Sequence, residues 1–245
     1  MKTGIFSIGL DTYWPQFDGL LDKLLGYHGE IRERISTMGT DIVDAGMVDS
    51  PERAREAAAL FKTEDVDIIF LFISTYALSS TVLPVVQKAK VPVVLLNLQP
   101  VAQLDYEAFN ALGDRGKMTG VWLEHCQSCS VPELASVFNR AKVDYHVVSG
   151  YLQEEEAWQE MARRLAHEIK NPLASIRSSV EQLARSTHAN EDERFLAGLV
   201  VRESDRLSGL LSEFLDFSRV RVTDCVQLDV GTVVRDAVGI VQKHP

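Results

Sequence analysis

His167-Glu-Ile-Lys-Asn-Pro-Leu173 decides how the C-terminal part of this chain folds. A histidine, a carboxylate, an amide and a proline fall within two turns of one helix, and apolar side chains run on either side of them. Trp158, Met161, Leu165, Ile169, Leu173, Ile176, Val180 and Leu183 recur at intervals of three or four residues, the spacing of a helix that buries one seam in a bundle. His167 lies midway between two seam positions, which points it outward, and packing gives no reason for an outward histidine there. A second helix is predicted through Leu196, Leu199, Glu203, Leu207, Leu210, Phe214 and Phe217. Between the two, Ser186-Thr-His-Ala-Asn-Glu-Asp-Glu193 is polar, with Asn190 a candidate N-cap ahead of Glu193. The segment 154–222 therefore reads as an all-α helical hairpin.

The H-E-x-x-N-P-L pattern of 167–173, together with Leu215-Asp-Phe-Ser-Arg219 at the end of the second helix, resembles the dimerisation and phosphoacceptor domain of sensor histidine kinases. The resemblance covers 154–222 and implies a dimeric four-helix bundle with His167 on its outside. Neutral imidazole is a nucleophile near pH 7. Phosphoryl transfer asks a protein mostly for positioning and charge stabilisation, so one exposed nucleophile needs few helpers. In that family the acid after the histidine takes up proton density from the other ring nitrogen, which is the role implied for Glu168. The residue at the Asn171 position helps orient the incoming phosphate, or a water in the reverse phosphatase reaction. Positions 167 and 171 share a helical face. Pro172 removes a backbone donor and is expected to bend the helix just beyond the site, leaving room for a docking domain. The partners implied are a second copy of the chain, an ATP-binding kinase domain in cis or trans, and the receiver domain of a response regulator.

Residues 223–245 read as the start of such an ATP-binding domain, with a short strand and a helix opening in Gln227-Leu-Asp-Val-Gly-Thr-Val-Val-Arg-Asp-Ala-Val-Gly-Ile-Val241. The asparagine-bearing helix, glycine-rich lid and D-x-G-x-G loop of that domain are not in the sequence. Neither G-x-x-x-x-G-K-[ST] nor G-x-G-x-x-G occurs in their place. The chain is thus expected to bind no cofactor itself. ATP and magnesium belong with the missing domain, and autophosphorylation by this chain alone is not expected.

Strands alternate with helices in 1–153. Gly4–Ile8, Asp41–Asp44, Asp67–Ile73, Pro92–Leu96 and Tyr145–Val148 are short, nearly continuous apolar runs, as in a parallel sheet covered on both faces. Residues 16–38, 51–63, 79–89 and 130–141 read as helices, with Ser50-Pro-Glu a start signal, while 98–128 reads as loop plus one helix. This is the pattern of an α/β flavodoxin-like doubly wound domain. Gly9-Leu-Asp-Thr-Tyr-Trp-Pro15, Thr75-Tyr-Ala-Leu-Ser-Ser80, Leu96-Asn-Leu-Gln-Pro100 and Asn110-Ala-Leu-Gly-Asp-Arg-Gly116 resemble the N-terminal domain of L-arabinose/L-fucose isomerase-like proteins. That family's metal ligands lie in later domains, so no aldose–ketose isomerisation and no metal are expected. Ligands of open parallel sheets sit beyond the carboxyl ends of the strands. The hydroxyls, amides, carboxylate and aromatic faces of Asp11–Trp14, Ser74–Tyr76, Asn97–Gln99 and Asp114-Arg115 would suit a sugar there; equally they are ordinary polar loops. Cys126-Gln-Ser-Cys129 has no second pair at zinc spacing and reads as idle thiols, and His28, His146 and His188 have no spacing partner.

Composition separates the two parts. Residues 1–153 hold 7 Lys, 6 Arg and 11 Gly, whereas 154–245 hold 2 Lys, 10 Arg and 4 Gly, so the units carry separate histories joined at the acidic Glu154-Glu-Glu156. A net charge of −10 argues against nonspecific nucleic-acid binding. With no apolar run of membrane-spanning length and no secretory signal, the chain is expected to be cytoplasmic. Three readings stay open: a phosphoacceptor module under an isomerase-like sensor or oligomeric handle, a non-catalytic sugar-binding or assembly domain dimerised by its hairpin, and a junction of two unrelated fragments.

Overall fold

The computed structural model describes residues 1–185 and 191–217. Five strands, β1 (Lys2–Ile8), β2 (Asp41–Val48), β3 (Ile68–Phe72), β4 (Val93–Gln99) and β5 (Tyr145–Tyr151), form one sheet in the order β2-β1-β3-β4-β5. Every pairing is parallel. The connections are helical: α1 (Leu20–Ser36), α2 (Pro51–Glu64), α3 (Ser79–Ala89), α4 (Tyr106–Ala111), α5 (Arg115–Glu124) and α6 (Val131–Ala141). Two long helices follow, α7 (Glu155–Ala184) and α8 (Glu191–Phe217).

Strand side chains alternate between faces, and both faces are covered. Phe6, Ile8, Ile69, Leu71 and Leu95 pack with Ala57 and Phe61 of α2, Val82 and Val86 of α3, and Leu134 and Phe138 of α6. Their neighbours Ile5, Ile68, Phe70, Phe72, Val94 and Leu96 pack against Ile31 and Ile35 of α1 on the other face. Local signals set the helix ends. The Ser50 side chain accepts from Arg53 N with Pro51 in the first turn, and α2, α3 and α6 stop at Asp65, Lys90 and Lys142 in left-handed conformation. His28, unassigned in sequence, is a core residue: Nδ1 lies 2.6 Å from Ser7 Oγ and Nε2 lies 2.9 Å from Asp44 Oδ1.

The second face is completed by α7. Ala157, Trp158, Met161 and Leu165 lie in the same core as Phe70, Leu96 and Val148, and Ile169 packs partly against it. The apolar repeat that reads as a bundle seam thus spends its first three turns on the sheet. Trp158 Nε1 donates to Leu152 O at 2.9 Å, and the Arg34 guanidinium stacks 4.8 Å from the Trp158 ring centroid. Gly150 makes the close approach possible, since a Cβ there would come within 2.9 Å of Ala157 Cβ. The compositional seam near 154 coincides with the turn from β5 into α7, and the helix continues unbroken through Pro172.

Past the sheet, α7 pairs with α8. Arg177 Nη1 meets Asp205 Oδ1 at 2.8 Å, and Lys170 Nζ donates to Ser212 Oγ at 2.9 Å. Ala197 and Ser204 are buried. The Asn190 cap, His188, the seam side chains at 210, 214 and 217, the 215–219 ending and all of 223–245 lie outside the described residues and side chains. Among the described residues, no helix is long and apolar enough to cross a membrane.

Candidate functional site

Arg164, His167, Glu168 and Asn171 occupy one stripe of α7 at helical spacing, next to the stripe that enters the core. His167 and Asn171 are exposed and Glu168 is half-buried. The stripe forms one wall of a cleft of about 250 Å³. The other wall is the N-terminal rim of the sheet, where β3, β4 and β5 begin at Ile68, Val93 and Tyr145, with Pro92, Asp144 and His146 beside them. All three residues read from the sequence as the phosphoacceptor set therefore line one cleft.

His146 and Arg164 were not legible as part of this site. The Arg164 guanidinium donates to His146 Nδ1, while His146 Nε2 lies 3.3 Å from Glu160 Oε1. Glu160 in turn meets Arg163 Nη1 at 2.6 Å. This polar chain ties β5 to α7 one turn before His167. No sequence spacing signals it, because His146 and Arg164 are brought together by the packing of a strand on a helix. On the far side, the Lys170 and Arg177 contacts hold α8 against α7 and leave the His167 stripe uncovered.

The opposite rim behaves differently. Ser74 Oγ donates to Ile8 O at 2.5 Å and Thr75 Oγ1 to Leu123 O at 2.7 Å, both fully buried. Trp14 Nε1 donates to Asp49 Oδ2 at 2.7 Å, and Asn97 Nδ2 to Ser149 Oγ at 3.0 Å. Gln99 Nε2 donates to Ser128 Oγ at 2.8 Å, and Asp114 caps α5 by accepting from Lys117 N. The groups that suited a sugar in sequence are thus largely engaged within the chain. A cleft of about 430 Å³ opens at this rim between α1 and α5. There the buried Glu124 accepts from Lys23 Nζ at 2.7 Å and from Tyr27 Oη at 3.0 Å. Burial, with Glu124 beside it, pushes the Tyr27 hydroxyl up to about 12.

Comparison with known proteins singles out the same helices. Residues 157–222 match the His Kinase A (phospho-acceptor) domain. The nitrogen regulation protein NtrY of Azorhizobium caulinodans is 31% identical over 99 residues, 38% of this chain and 13% of that protein. The sensory histidine kinase/phosphatase NtrB of Rhizobium meliloti is 38% identical over 74 residues, 30% of this chain and 19% of that protein. The sensor histidine kinase ZraS of Klebsiella oxytoca is 32% identical over 83 residues, 34% of this chain and 18% of that protein. The chain spans less than a fifth of the length of each of these relatives. The stretch of α7 and α8 that carries His167, Glu168 and Asn171 is a phosphoacceptor domain of the sensor histidine kinase type.

Proposed function

We propose that this chain is the phosphoaccepting part of a two-component sensor histidine kinase, with His167 as the residue that takes the phosphoryl group. The observation that carries this reading is the exposed His167–Asn171 stripe within the matched segment, beside an open cleft. The His167 imidazole attacks the γ-phosphorus of ATP held with magnesium by a kinase domain, in cis or in trans, and ADP leaves. Glu168 takes up proton density from the other ring nitrogen, and Asn171, one turn on, orients the phosphoryl group or a hydrolytic water. An aspartate of a response-regulator receiver domain then accepts the phosphoryl group from His167. Both partners reach His167 across the open side of the cleft, since the N-terminal rim of the sheet closes the other.

The chain acts as a homodimer in the cytoplasm on this reading. Ile176 and Leu183 of α7 and Leu196, Leu199 and Leu207 of α8 are 39–68% exposed, an apolar stripe that a second hairpin would cover to make a four-helix bundle. The division is an α/β unit of flavodoxin-like strand order over 1–153, resembling the isomerase-like N-terminal domains, then the 154–222 hairpin and the opening of an ATP-binding domain over 223–245. The α/β unit acts as the input element, because it holds the first turns of α7. The cleft between α1 and α5 supports a sugar ligand at the unit's C-terminal rim. The test is phosphotransfer. The protein is mixed with a separately expressed histidine kinase ATP-binding domain and labelled ATP. Acid-labile label is expected on the protein and absent from His167→Gln; label that survives in the variant would overturn the assignment.

A further inference from the structure

Cys126 and Cys129 sit at a 3₁₀ turn, Gln127–Ser130, that closes over the C-terminal rim of the sheet. Both are free thiols, and their sulfurs lie 2.6 Å apart with Cys126 donating to Cys129. That is nearer than two unbonded sulfurs rest in contact and approaches the roughly 2.05 Å of a disulfide bond. Exposure divides the pair: Cys126 is 1% exposed, whereas Cys129 faces solvent.

The turn that carries them is fastened from beneath. Gln127 Nε2 donates to Ser74 O at 3.0 Å and to Glu124 O at 2.6 Å, and Ser130 Oγ accepts from Ala77 N at 3.0 Å. Ser128 Oγ accepts from Gln99 Nε2 at 2.8 Å, and Cys129 N donates to Cys126 O at 3.2 Å to close the turn itself. The two sulfurs are thus held at bonding approach by contacts that do not involve them.

We propose that Cys126 and Cys129 form a two-electron dithiol–disulfide site on the α/β unit, reacting with a small disulfide-class oxidant. The accessible Cys129 gives up its proton and attacks one sulfur of the oxidant, whose S–S bond breaks and whose departing sulfur takes a proton. Cys126 then attacks the Cys129 sulfur of that mixed disulfide. The Cys126–Cys129 bond forms, and the second oxidant sulfur leaves with the Cys126 proton. Two protein thiols are oxidised to one disulfide while the oxidant is reduced to two thiols. Burial, followed by the contact with Cys129, pushes the Cys126 thiol up to about 12, which keeps it protonated and leaves the first attack to Cys129.

This site is independent of the phosphoacceptor reading. The test treats the full chain with oxidised glutathione, blocks remaining thiols with an alkylating agent, and maps the peptides by mass. Expected is one peptide containing Cys126 and Cys129 that has lost two hydrogens and resists alkylation at both, fully restored by dithiothreitol. In Cys126→Ser, with no resolving thiol, Cys129 is expected to retain a glutathione adduct. Alkylation of both cysteines, a persistent adduct on Cys129 of the unaltered protein, or a disulfide from either cysteine to Cys225 would overturn the proposal.

Discussion

The two halves of α7 follow one apolar repeat and meet different surroundings. From Trp158 to Leu165 the repeat is sealed into the sheet core, with Trp158 and Leu165 each 3% exposed and Met161 fully buried. From Ile176 to Leu183 the same repeat is 47% and 68% exposed at those two positions. Periodicity shows which stripe of a helix is apolar, and the partner for that stripe comes from elsewhere in the chain or from another molecule. His167 lies at the change-over, exposed because an open cleft separates its stripe from the rim of the sheet and α8 pairs with another side of α7.

Substitutions in the two halves separate these roles. Trp158→Ala removes a core indole, its bond to Leu152 O and its stacking with Arg34, and is expected to cost about 3–5 kcal/mol in chemical denaturation. The paired change Ile176→Glu with Leu183→Glu is expected to leave the denaturation of the α/β unit within about 0.5 kcal/mol. It should instead shift the proposed dimer to monomer in sedimentation. An equal loss of stability from both would erase the distinction between the halves. A smaller effect is expected from Gly150→Ala, whose methyl group meets Ala157. With the backbone of β5 and α7 forced apart, a loss of about 1–3 kcal/mol is expected by the same measurement.

The smallest effect concerns acid. Burial favours the neutral Asp44 carboxyl, but the hydrogen bond and charge of His28, with the Gly46 N–H and Arg32, outweigh it and hold the carboxyl below its ordinary 3.8. A carboxyl depressed in the folded state contributes stability above its ordinary value, and that contribution is lost as pH falls through the folded value. Asp44→Asn should therefore flatten the acid limb of α/β-unit stability below about pH 4. Since this pair lies between α1 and β2, the α7–α8 pairing should show no matching change, as hydrogen exchange of the α7 and α8 amides beyond Arg177 followed against pH would report.

Much of this architecture was legible in the sequence, for reasons that can be named. A parallel sheet covered on both faces makes its strands continuous apolar runs, so Ile68–Phe72 and Val93–Leu96 stand out without alternation. The stretch 98–128 was less readable: α4 has six residues and α5 buries only Leu123 and Glu124, so neither shows a strong apolar stripe. Asp105 and Asp114, which accept from Ala108 N and Lys117 N, were the available signals for both helices. His167, Glu168 and Asn171 were readable because their chemistry lies within two helical turns. The wall that faces them was not, because Asp144 and His146 reach the cleft through strand–helix packing.

One consequence follows from the keying of α7 into the sheet by Trp158, Met161 and Leu165. The azimuth of the His167 ring is set by the α/β unit, because a helix turns about 100° with each residue. A single residue inserted between Leu165 and His167 would swing the imidazole off the cleft altogether, whereas seven would return its bearing and move it about 10 Å along the axis. The phase of one helix is thus the coordinate that an event in the α/β unit would have to alter in order to be felt at the imidazole.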